Sequence, residues 1–194
     1  MAPRSRPAPT DAILPMTDEY MQEIVRREKN HEFRRYRIST SVVRIWFYLN
    51  APHSSIIYIC EIAPARTRGG DHPPLPENGK GNQEFNTYHK DWDGYDFAYR
   101  IRSVRRLREP LSLAILRQKY GFKLAPRGLV YLPPNVSTDV PWQDQELIWN
   151  TTIDDNDDTP TSNPSTGELS HAKKRKLDKT SDPALVPSLK RRRR

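Results

Sequence analysis

The 194-residue chain has a single cysteine, Cys60, so it can build neither an intrachain disulfide nor a thiolate zinc site. Its five histidines, His31, His53, His72, His89 and His171, stand at no metal-ligand spacing. No Gly-x-Ser-x-Gly turn, HExxH helix or paired Cys and His occurs. Neither a metal nor a cofactor is therefore expected, and an enzyme less so than a binding protein. No apolar run approaches the ~18 residues of a membrane span, and the Pro-rich first fifteen residues do not suit a secretory h-region. This points to a soluble intracellular protein without a membrane partner, acting as a monomer. Apolar residues are also scarce: a 35% hydrophobic fraction, 18 prolines and a mean hydropathy of -0.86 leave part of the chain outside any core.

What is abundant is charge, and it is divided by position. Residues 1–138 hold 22 Lys and Arg against 14 Asp and Glu; residues 139–170 hold no Lys or Arg and 8 acids; residues 171–194 hold 10 bases and 2 acids. A basic domain, an acidic linker and a basic tail follow from this division. Residues 1–15, Pro- and Ala-rich without periodicity, read as a flexible arm; residues 16–150 as the folded domain; residues 151–194 as a disordered tail.

Within the domain, Thr17 suits a helix N-cap, Asp18 and Glu19 its first turn, Met16 and Met21 a hydrophobic staple, and Tyr20, Met21, Ile24 and Val25 an apolar stripe. Four strands are predicted over 31–37, 42–49, 56–62 and 97–107, with a second helix over 113–120 between Ser112 and Gly121 and a closing strand over 129–132. The Gly- and Pro-rich stretch 69–81 is a long loop of the kind that carries function. Trp142 and Leu147–Trp149 are placed back against the domain. Short, mostly antiparallel strands in this order suit a partly closed β-barrel with two short covering helices, an α+β fold.

Where the first helix passes into the first strand, Lys29, Glu32 and Arg34 form a compact polar constellation. Period-two alternation puts Glu32, Arg34 and Tyr36 on one face, able to recognise phosphate and base edges. A barrel-closing salt bridge is the compatible alternative. Arg100 and Arg102 share a face of the fourth strand and suggest a phosphate-contacting patch or an ordinary solvated face, while Trp92 and Tyr95, in the polar run HKDWDGYD, are candidates for stacking a base or stapling the loop. Gly79-Lys80-Gly81-Asn82 lacks the context of a phosphate loop and reads as a plain turn.

A helix ending in Gly-x-Lys-x-x-Glu-x-Arg and followed by short strands resembles the ASCH branch of the PUA-like superfamily, in its fungal-type nuclear form. The match lies at Lys29, Glu32 and Arg34, with Arg27 in place of the glycine, and the similarity runs over residues 13–134. The resemblance implies a β-barrel with a cleft beside the first helix and a part in nucleic-acid binding, RNA favoured, or in reading modified bases. Some relatives are hydrolases of acetylated cytidine or nucleases; the amidohydrolase threonine is here Glu32, so that nucleophile does not carry over. A transcription-related adaptor is the remaining alternative. In the tail, Lys173, Lys174, Arg175 and Lys176, then Lys190, Arg191, Arg192, Arg193 and Arg194, stand 13 residues apart as in a bipartite nuclear-import signal. The nucleus and an import receptor are thus expected.

Overall fold

The computed structural model describes residues 8–151. Eight strands form one mixed sheet: β1 (Asp11–Met16), β2 (His31–Arg34), β3 (Arg44–Leu49), β4 (Ser55–Ile62), β5 (Arg66–Thr67), β6 (Phe97–Ser112), β7 (Val130–Tyr131) and β8 (Glu146–Asn150). The order is β2-β6-β4-β3-β1-β7, with β5 and β8 added to β6. Only β1 and β3 run parallel; the other pairs are antiparallel. The sheet curls into a half-barrel, the expected fold class, and bulges in β3–β4 and β4–β6 help it bend.

Helix α1 (Asp18–Val25) lies on one face and α3 (Leu113–Tyr120) on the other, the two covering helices expected; α2 (Asn82–Asn86) and α4 (Pro134–Asp139) are additional. Pro133-Pro134 does stop the closing strand, but Pro134 then opens α4, where its missing N–H is no loss. In α1, Thr17 takes the extended N-cap conformation without a side-chain cap bond; Met21 and Ile24 are buried. In α3 the Ser112 hydroxyl accepts the Ile115 N–H at 3.3 Å, and Gly121 supplies φ 74° at the end.

The expectation that residues 1–15 form a flexible arm fails from Asp11 onward. Ala12, Leu14 and Met16 enter the core beneath α1, together with Ile45, Phe47 and Leu49 of β3. Ile13 enters the opposite core with Trp46, Tyr48 and Leu116. Because both faces of β1 are covered, it is a continuous apolar run rather than an alternation. Pro15 is tolerated because it lies beyond the two residues that pair with β7. The strand expected over 31–37 ends at Arg34, and β6 continues past Leu107 to Ser112. Trp142 and Trp149 pack on the domain as expected, Trp149 donating its indole N–H to the Val25 carbonyl at 3.1 Å.

Asp11 ties β1 to β3. Its carboxylate accepts two hydrogen bonds from Arg44 at 2.7 Å, one from the Trp46 indole at 2.9 Å and one from the Thr10 hydroxyl at 2.6 Å. Burial pushes this carboxyl up, but the bonds from Arg44, Thr10 and Trp46 outweigh it and hold the group below the usual carboxylate range. Asp11→Ala leaves the fully buried Trp46 donor unpaired and is expected to lower stability at pH 7 by about 2–3 kcal/mol in urea unfolding. A folded-state value below the unfolded one stabilises above that unfolded value and is lost as pH falls through the folded one. The gap between the two proteins should therefore narrow below pH ~4.

Candidate functional site

The site begins where α1 gives way to β2. The chain turns through Arg27, which takes the left-handed φ of 63° that a glycine would adopt at lower cost. Its guanidinium lies 5.0 Å over the Trp149 ring and donates to the Asn150 carbonyl at 3.2 Å, so contacts with β8 offset the backbone cost. The turn delivers Lys29 to the same side as Glu32 and Arg34. Lys29 Nζ and Arg34 Nη2 each lie 2.8 Å from a different oxygen of Glu32. The side chains are 12%, 20% and 7% exposed for Lys29, Arg34 and Glu32, so the pairs are well shielded from water yet open on one side. Arg34 Nε is buried without a hydrogen-bond partner. The Lys29 ammonium also sits over two rings, Tyr20 at 5.2 Å and Phe33 at 5.9 Å.

These groups open on a cavity of ≈ 1030 Å³. One wall is the start of α1, with Thr17, Tyr20 and Glu23; the facing wall is residues 77–81, followed by Glu84, Asp91, Trp92 and Tyr95. The facing wall is pinned from both sides. The Lys80 ammonium donates to Glu23 at 2.9 Å and to Glu28 at 2.7 Å, and its backbone N–H donates to the Glu28 carbonyl at 2.8 Å. Hydrogen bonds from Arg26 and Lys80 hold the Glu28 carboxyl down to about 2. Gly81, at φ 88°, has no room for a Cβ, which would meet Trp92 at 2.5 Å and Phe33 at 2.8 Å. Below the wall, Phe33, Leu75, Phe85 and Ala98 form a third apolar cluster on which Trp92 and Tyr95 rest. Trp92 meets Phe33 edge-on at 4.8 Å.

The charge of this cavity differs from that of the chain. Its lining carries Glu23, Glu28, Glu32, Glu77, Glu84 and Asp91 against Lys29, Arg34 and Lys80. With both deep cations engaged by Glu32, it suits base edges and ring faces better than a phosphate.

Of the sequence-predicted residues, Lys29, Glu32, Arg34, Trp92 and Tyr95 are brought together around the cavity. Tyr36 lies past the end of β2, 43% exposed and outside the lining. Arg100 and Arg102 are also outside it: Arg100 pairs in register with His31, while Glu32 pairs with Tyr99, so the alternation turns Arg100 to the face opposite Glu32. Arg102 is exposed on β6. Tyr20, read as part of the helix's apolar stripe, is 53% exposed at the cavity instead. Lys80 and Gly81, read in the sequence as a plain turn, form part of the cavity wall, and Glu84 beside them carried no sequence signal. Among the described residues no group of three or more His, Cys, Asp or Glu is placed to hold a metal ion, and no helix is long and apolar enough to cross a membrane. The import-signal residues 173–176 and 190–194 lie outside the described residues, as does the acidic stretch 154–158.

No family model matches the chain, and no curated protein does. Among solved structures the chain is similar to ASCH from Zymomonas mobilis. One mutant of that protein aligns at 24% identity over 69% of this chain and 96% of its own, with a TM-score of 0.49. A second mutant aligns at 22% identity over 67% and 95%, with a TM-score of 0.47. ASCH without substitution aligns at 22% identity over 66% and 92%, with a TM-score of 0.46.

Proposed function

We propose that the chain is a nuclear nucleic-acid-binding module that takes one unstacked base, of RNA in preference to DNA, into the cavity beside α1. One observation carries the reading: a rigid set of donors and acceptors, Lys29, Glu32 and Arg34, faces an aromatic wall across a cavity of ≈ 1030 Å³. That volume is at the top of the range for ligand sites, about 300–1,000 Å³. Sequence-specific recognition of single strands works by splaying out a base, stacking it on an aromatic ring and bonding its edges. Trp92 and Tyr20 supply ring surface, the triad supplies edge contacts, and the acidic rim keeps the phosphates outside. The basic exterior, including Arg102, supplies sequence-independent attraction. The two basic clusters of residues 173–176 and 190–194 support nuclear import through an import receptor. Hydrolysis of a modified nucleoside is less well supported, because Lys29, the amine deepest in the cavity, is tied up in an ion pair with Glu32.

The test is fluorescence anisotropy with single-stranded RNA of mixed sequence. Arg34→Ala, and Trp92→Leu, which keeps an apolar side chain but removes the ring, should each weaken binding about tenfold, the order of one lost stacking or charged contact, while the salt slope stays unchanged. Arg100→Ala with Arg102→Ala should instead flatten the slope by about 1.4, two single-strand phosphate contacts. Unchanged affinity in Arg34→Ala and Trp92→Leu would remove the cavity from the binding surface.

A further inference from the structure

Of the four tryptophans the chain covers three, two of them with its own cations, as it does Tyr95 beside the cavity. Trp142 has Arg44 at 5.1 Å and Arg105 at 4.8 Å; Trp149 has Arg27 at 5.0 Å; Tyr95 has Arg35 at 4.7 Å. Trp46 is sealed in the core. Trp92 is the exception: half-buried and lining the cavity, it touches Phe33 and Tyr95, and among the described residues no cation stands over it. The carboxylates of the same cavity divide likewise. Glu23 and Glu28 share Lys80, and Glu32 holds Lys29 and Arg34. Asp91 has the His89 ring beside it at 3.8 Å, while Glu77 and Glu84 line the cavity without an ion pair among the described residues. An uncovered indole and two unneutralised carboxylates thus face one space.

Resting on the base-reading function above, we propose that the cavity selects a nucleobase whose ring carries a positive charge, such as a ring-N-methylated purine. Methylation at N7 of guanine spreads a positive charge over the ring without adding a counter-ion. The stacked ring then gains cation–π attraction to Trp92 and Coulomb attraction to Glu77 and Glu84, neither available to the neutral base. A free phosphate gains nothing here, since the same carboxylates repel it. The deep cations oppose the fit only in part: Glu32 cancels one of their two charges in place, and the two carboxylates of Glu77 and Glu84 outweigh the one that remains.

The experiment compares the full chain's affinity for two short single-stranded RNAs that differ only in one central residue, 7-methylguanosine or guanosine, at 0.15 M salt. The methylated RNA should bind about tenfold more tightly, the scale of a partly desolvated cation–π contact. In the Glu77→Gln, Glu84→Gln double variant the ratio should fall several-fold, even though removing two negative charges raises affinity for both RNAs. Equal binding of the two RNAs, with Trp92→Leu still weakening both, would overturn the charge selectivity and leave base reading intact. A preference that persists unchanged in the double variant would also overturn it, by taking away its electrostatic cause. Binding that ignores both the methyl group and Trp92→Leu would overturn the selectivity and the base-reading function together.

Discussion

Glu32→Ala should cost the protein about 3 kcal/mol of folding stability, the largest loss expected from any single change in the cavity. Its carboxylate is 7% exposed and holds two cations, one on each oxygen. Deleting it leaves Lys29 and Arg34 close together, largely out of water and mutually repelling, and truncating one member of a shielded pair is costly because the other charge stays behind. The open side of the cavity lets both cations relax toward solvent, which places the figure at the lower end of the usual range. Glu32→Gln keeps the shape and one acceptor oxygen and should lose about half as much. Urea unfolding at pH 7 measures both variants. A loss under about 1 kcal/mol for Glu32→Ala would class the triad with exposed ion pairs. Closing the barrel edge and presenting fixed polar atoms are the same act here, because the bonds that hold the triad also orient it.

That triad was legible because it is local: three side chains within six residues, two of them on one face by strand alternation. α1, α3, β3, β4 and β6 were legible for a similar reason, through helical spacing, caps and β-branched or aromatic runs. β1 was not, since its sequence, DAILPM, follows a Pro-rich stretch and its partner β3 lies about thirty residues away. The cavity's second wall was illegible for a different reason. Residues 77–92 gain their positions from Leu75, Phe85 and Trp92 settling on Phe33, contacts between segments that no short window contains. Alternation put Arg100 and Arg102 on a common face, but only the pairing of Arg100 with His31 shows that this face is turned away from Glu32. Local pattern therefore identified the chemistry of the cavity, and register decided which charges could reach it.

The same register makes His31 an acid-sensitive group of the fold. The ring is 2% exposed, and burial first, then the charges of Arg100 and Arg66, push its value down to about 3 against a weaker opposing contribution from Asn82. Its Nδ1 lies 2.7 Å from Asn30 Oδ1 and its Nε2 has no hydrogen-bond partner, which assigns the neutral ring with the proton on Nδ1. Asn30 Oδ1 also accepts from Asn82 Nδ2 at 2.9 Å, Asn82 Nδ2 donates to the Pro76 carbonyl at 2.6 Å, and Asn30 Nδ2 donates to Asn78 Oδ1 at 3.0 Å. His31 thus stands behind the network that fixes the cavity's second wall. A histidine whose folded value lies below its unfolded value of about 6.5 contributes its full stability above pH ~6.5 and loses it as pH falls toward the folded value. At 1.36 kcal/mol per pH unit the loss reaches about 2 kcal/mol by pH 5 and exceeds about 3 by pH 4. Urea midpoints taken from about pH 7 to pH 5 keep most carboxylate titration, that of Asp11 included, out of the comparison. His31→Phe keeps a ring of similar size, removes the titrating nitrogens and should be nearly flat over that interval, while the unsubstituted protein falls steeply. Parallel slopes for the two proteins would assign the acid sensitivity to another group. Over this interval the ring stays neutral in the folded state, so RNA affinity should hold until the folded fraction itself declines.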